Sequence, residues 1–138
     1  MTKIAVEIGL KIPDNTAYTA LVALRRLGVP VEAVERSDVF IFEDAEAAGD
    51  PQALRLKIES DETIFNPNKH RLSVLEHCRP RRGEVWIEPL EADRDSSGAV
   101  AWRLLDSNGA PVSRAVAETA AERLLCNPAI ERSRFSAE

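Results

Sequence analysis

A chain of 138 residues, 44% hydrophobic and 30% charged, is long enough for one globular domain and too apolar for disorder. No apolar stretch approaches the roughly 20 residues of a membrane span, and the N-terminus, one lysine followed by polar residues alternating with apolar ones, is no secretion signal. A net charge of −5 argues against a nucleic-acid binder, and two cysteines make no disulfide framework, so the expected protein is cytoplasmic with free thiols.

Ile4, Val6, Ile8, Leu10 and Ile12 alternate with polar residues from Lys3 to Ile12, the period of a strand with one wet face. Pro13-Asp14-Asn15 ends it and supplies a side-chain oxygen to cap a helix. From Thr16 to Leu27, Ala17, Ala20, Leu21, Leu24 and Leu27 follow helical spacing, with Arg25 and Arg26 in the last turn and Gly28 past the end. Val31 to Phe42 reads as a second strand. Its run Val39-Phe40-Ile41-Phe42 is apolar on both faces, which places it either against another subunit or sheet or wholly inside one chain.

Glu43 to Pro51 reads as a loop with room for a helical turn. Leu54, Leu56 and Ile58 alternate with Arg55, Lys57 and Glu59, which suggests a strand, with a short helix after Asp50-Pro51 as the alternative. Ile64-Phe65, Leu72 to Leu75, Val85 to Ile87 and Val100 to Leu105 add short strands. Turn-rich pieces at 66–69, 79–83, 93–98 and 106–109 separate them, and the spacing fits a β-meander. Trp86 and Trp102, at equivalent positions of neighbouring strands, are expected to pair as core or to form an exposed hot spot. Val116, Ala117, Ala120, Ala121, Leu124 and Leu125 then form a helical stripe, capped by Ser113 and closed by Asn127-Pro128. Ile130 to Phe135 supplies a last strand.

Reactive chemistry is scarce. His70, His77, Cys78 and Cys126 could formally hold zinc, yet no C-x-x-C or H-x-x-x-H pair occurs. No nucleophile elbow, phosphate loop or dinucleotide fingerprint is present, so no catalytic residue, metal or cofactor is predicted. Two loops carry possible binding chemistry. Asn66, Asn68, Lys69, His70 and Arg71 could converge on a phosphate or carboxylate, or form an exposed turn. Arg79, Arg81 and Arg82 form the only basic cluster and could dock an acidic partner surface, or stay solvated.

The C-terminal segment Leu124-Leu125-Cys126-Asn127-Pro128-Ala129-Ile130-Glu131 fits the pattern L-L-x-N-P-x-I-E and resembles the closing helix and strand of PurS, the small subunit of phosphoribosylformylglycinamidine synthase. The N-terminal strand, helix and strand are similar too, through Ala23-Leu24-Arg25-Arg26-Leu27-Gly28, although Pro13-Asp14-Asn15-Thr16 departs from the family's D-P-x-G-like turn. The resemblance covers about 60 to 65 residues at the two ends and implies fold more securely than activity. It implies a non-catalytic subunit that dimerises and holds a glutamine amidotransferase subunit against an ATP-dependent synthetase subunit in purine biosynthesis.

The expected fold is therefore α+β: a two-layer sandwich, an antiparallel sheet with two helices on one face, PurS-like, plus an inserted β-meander. One domain spans 1–138, with its core from 1–43 and 112–138 and a β-rich insertion at about 44–111. Expected partners are a second copy in a homodimer, the glutaminase and the synthetase, with neither nucleic acid nor membrane. The competing readings are a stand-alone small-anion-binding or regulatory module on the same fold, and an enzyme whose site forms at a dimer interface.

Overall fold

A computed structural model describes residues 3–43, 51–75, 77–90 and 98–136. The alternating N-terminal segment forms strand β1 (Lys3–Leu10), followed by helix α1 (Asn15–Arg26) and strand β2 (Ala33–Glu43). Asp14 caps α1: its Oδ1 accepts the backbone N–H groups of Thr16 and Ala17 at 2.9 and 3.1 Å, and its Oδ2 accepts Nε–H of Arg36 at 3.1 Å. Burial pushes the Asp14 carboxyl up, but the Ala17 N–H and the Arg36 guanidinium outweigh it and hold the group below its ordinary range. A depressed pKa contributes stability above the unfolded-state value and loses it as pH falls through the folded-state value. Asp14→Ala should therefore cost about 1 kcal/mol at neutral pH and nearly nothing in strong acid, which urea unfolding of both proteins at the two pH values checks. At the other end of α1, Gly28 adopts φ +82°, the left-handed C′ conformation that terminates a helix.

The segment Pro51–Glu59 is helix α2, so the alternation of Leu54, Leu56 and Ile58 does not mark a strand. Ile58 is 3% exposed and packs on Ile4, Val6, Ile8 and Leu72, whereas Leu56 is 69% exposed. Ile64 and Phe65 lie in a turn closed by backbone bonds to the Asp61 carbonyl, and Phe65 joins the same cluster. Strands β3 (His70–Val74), β4 (Glu84–Pro89) and β5 (Gly98–Leu105) follow. Helix α3 (Arg114–Ala120), with Ser113 Oγ accepting the Val116 N–H, runs on into a π-helical turn at Ala121–Leu125, and strand β6 (Glu131–Phe135) ends the described chain. The loop expected at 43–51 and the turn expected at 93–98 fall largely outside the described residues.

All six strands join one antiparallel sheet in the order β3-β1-β2-β5-β4-β6. The fold is α+β, and the helices share one face. Alternation and register place Ile4, Val6, Ile8, Val34, Phe40, Val85, Ile87 and Leu104 on that face, beneath α2 at one side and beneath α1 and α3 at the other. Ala20 and Leu24 of α1 meet Ala117, Ala120, Ala121 and Leu125 in a single cluster, so the two ends of the chain share a core. The middle segment does not stand apart as a unit of its own: β5 pairs with β2, and the β4–β5 hairpin separates β6 from the N-terminal strands. β2 is covered on both sides within one chain, half-buried Phe40 and Phe42 facing the helices and buried Val39 with half-buried Ile41 facing the opposite way.

The tryptophans correct another expectation. β4 and β5 are neighbours, but Trp86 pairs with Ala101 and Trp102 with Val85, a one-residue offset that sends the two rings to opposite faces.

The sheet carries an internal two-fold relation. The cross-strand row Val74–Val6–Phe40 of the first half corresponds to Phe135–Val85–Trp102 in the second. The relating axis passes beside the Asp38–Val100 pair of the central β2–β5 seam, perpendicular to the sheet. Each half runs strand, strand, helix, Asn-Pro turn, edge strand, with α1 added in the first. The turns match in detail. Asn66 and Asn127 each accept, on their side-chain oxygen, the N–H two residues on, and on their carbonyl the N–H groups three and four residues on. Their own N–H groups donate to His70 Nδ1 and to Glu131 Oε1, both at 2.9 Å.

Candidate functional site

The connection from β3 to β4, described at residues 75 and 77–83, crosses the sheet face that the helices leave open. Its apolar members pack down: Leu75 and Cys78 lie against Trp86, Val39, Ala5 and Ala101, and Pro80 is buried. Trp86 is fully buried as a result, with the Arg134 guanidinium 5.7 Å from its ring centroid. Beside Trp86 on the same face is Glu84, 1% exposed and the only buried charged side chain among the described residues. A carboxylate so placed needs partners. It accepts the Arg81 backbone N–H at 2.8 Å, Arg81 Nε–H at 2.9 Å and Trp86 Nε1–H at 3.1 Å. Arg81 also reaches Glu7 Oε2 at 2.7 Å, an oxygen that accepts the Ser37 hydroxyl at 2.8 Å. Desolvation lowers the Arg81 pKa, but Glu84 and Glu7 outweigh it, so the guanidinium is locked in its charged form. Gly83 then turns the chain into β4 with φ +77°, and a Cβ there would lie 2.7 Å from Pro111 Cβ, so both conformation and space require glycine.

The pinned loop bounds a cavity of about 450 Å³, lined by His77, Arg79, Arg81 and Arg82, by Ser73 of β3 with the two residues after it, and by Ser136 just past β6. Strands β3 and β6 are opposite edges of the sheet. Five inter-strand gaps would set flat edges about 24 Å apart, so lining from both means that this face is concave. Of the arginine cluster expected to dock a partner, Arg81 is consumed by the internal network. Arg79 and Arg82 are exposed and have no ion-pair partner among the described residues. Among the described residues that line the cavity there is no aspartate or glutamate.

The other sequence candidate is divided by the structure. Asn66, Asn68 and His70 come together, and two of their side-chain acceptors are used within the turn: Asn66 Oδ1 takes the Asn68 N–H, and His70 Nδ1 takes the Asn66 N–H. The His70 ring stands 6.0 Å from that of Phe65. Lys69 is exposed, and its carbonyl accepts the Lys11 N–H at 2.7 Å. Arg71 alternates to the open face, where it sits 3.7 Å from Glu35. The five residues do not converge on one point.

Glu84 and Glu7 are site residues that sequence reasoning did not single out. The available signal was the spacing Arg81-x-x-Glu84 immediately before the apolar run Val85-Trp86-Ile87, which puts a carboxylate where burial is expected.

On the helical face, Trp102, Thr16, Thr19, Ala20, Ala23 and Leu124 line a shallower apolar groove of about 410 Å³ between α1 and the π-helical turn. Neither cysteine forms a disulfide, and burial together with Glu131 pushes the Cys126 thiol up, away from the thiolate a nucleophile needs. Among the described residues no group of three His, Cys, Asp or Glu side chains is placed to hold a metal ion, and no helix is long and apolar enough to cross a membrane. No family model and no curated protein matches the chain.

Proposed function

We propose that this chain is a non-catalytic, PurS-like scaffold that holds a glutamine amidotransferase subunit against an ATP-dependent synthetase subunit in formylglycinamidine ribonucleotide synthesis. The observation that carries the reading is the internal two-fold. Within the segment that resembles the end of PurS, the Asn-Pro turn and edge strand from Asn127 to Phe135 have a counterpart in Asn66 to Val74, with the same turn hydrogen bonds. The resemblance thereby gains a place for the middle of the chain, which the terminal motifs alone leave unassigned. The β2–β5 seam supplies within one chain a dyad like that of a two-subunit scaffold, and the short edges β3 and β6 are the strands open to self-association. A scaffold needs no nucleophile, and the one buried carboxylate is spent on an internal ion pair.

Affinity purification of the tagged chain from its native host tests this. A glutaminase and a synthetase subunit should be recovered in stoichiometric amounts, with no turnover of glutamine by the chain alone. Recovery of neither, in the presence of glutamine and nucleotide, would overturn the proposal.

A further inference from the structure

We infer that the concave cavity between the β3–β4 connection and the end of β6 binds a small molecule through a phosphate group. Its described lining brings three arginines, one histidine and two serines to one concavity, with no acidic residue among them, in a chain whose net charge is −5. The charge is not consumed where it matters. Arg81 satisfies Glu7 and Glu84 and thereby holds the loop, leaving the forks of Arg79 and Arg82 without carboxylate partners among the described residues. A planar guanidinium presents paired N–H donors that match a phosphate edge, and the Ser73 hydroxyl and the His77 imidazole supply further donors for the remaining oxygens. The wall behind them is set, because Pro80 is buried and Leu75 and Cys78 are packed against Trp86, so little ordering is required on binding. A volume of about 450 Å³ exceeds what an inorganic anion fills and suits a phosphorylated metabolite. This inference stands apart from the scaffold proposal, since it concerns a ligand of the isolated chain.

Calorimetric titration of the full chain with inorganic phosphate, against chloride at matched ionic strength, is the test. One saturable site is expected, with affinity about tenfold weaker in Arg79→Ala and in Arg82→Ala and unchanged in Arg123→Ala on the helical face. Both cavity variants remove exposed, unpaired side chains, and urea unfolding would register any loss of the fold. Amide chemical shifts on titration should move at Ser73, His77 and Ser136. Absence of saturable heat, equal affinity in the Arg79→Ala/Arg82→Ala double variant, or shifts confined to Asn66–Arg71 would each overturn the assignment. Tighter binding of citrate than of phosphate would do so too, by assigning the site to carboxylates.

Discussion

Arg81→Ala should destabilise the fold by about 2–4 kcal/mol although the side chain lies at the surface. The cost arises at Glu84, not at the arginine. With 1% exposure, Glu84 cannot exchange its lost partner for water, and an unpaired buried charge is among the most expensive features a core can hold. Arg81 is itself 44% exposed, so part of its attraction is screened, which places the effect below that of a fully enclosed pair. Glu84→Gln is the informative companion. It keeps an acceptor for Trp86 Nε1–H and releases a guanidinium that water can solvate, so about 1–2 kcal/mol is expected. Urea unfolding followed by circular dichroism measures both. If the two variants cost the same, the buried carboxylate is not what the loop is anchored to.

Trp86→Ala should cost about 3–5 kcal/mol, the usual toll for emptying a large aromatic site. The ring is fully buried between the sheet and the β3–β4 connection, so its loss also removes the floor on which Leu75 and Cys78 rest. Trp102→Ala should cost measurably less, because Trp102 is only partly buried, at the margin of the helical cluster, where Arg36 stacks 6.0 Å from its ring centroid. Fluorescence-monitored unfolding separates the two, since each variant retains one tryptophan as the probe. Equal costs would contradict the assignment of the rings to opposite faces.

Local patterning made most elements legible. The alternation of Ile4, Val6 and Ile8, the Asp14 cap, the stripe Ala17-Ala20-Leu24 and the Asn127-Pro128 stop each encode their structure within a few residues. Local pattern leaves strand and short helix open for α2 because its periodicity is decided at long range: Ile58 is needed to cover Ile4, Val6 and Ile8, and without that partner the alternation of Leu54, Leu56 and Ile58 looks like a strand. The tryptophan faces depended on a register offset of one residue, which strand-level patterning cannot supply.

The two-fold relation was hidden for a different reason. Val6 maps to Val85, Phe40 to Trp102 and Val74 to Phe135, shifts of 79, 62 and 61 residues, because α1 lengthens only the first half. A repeat without a constant period leaves no signal to a scan along the chain, beyond the paired Asn66-Pro67 and Asn127-Pro128. Of the candidate site, the arginine cluster was visible as composition. What distinguishes Arg81 from Arg79 and Arg82 is legible only in part, in the Arg81-x-x-Glu84 spacing, since its second carboxylate, Glu7, lies 74 residues away.

In an assembly of identical subunits, every substitution appears twice, once on each side of the axis, and both copies must tolerate it. Fusing the halves of the β2–β5 sheet into one polypeptide lifts that restriction. One flank can acquire the Arg79–Arg82 loop without a copy arising on the other, so that each surface changes without compromising its counterpart.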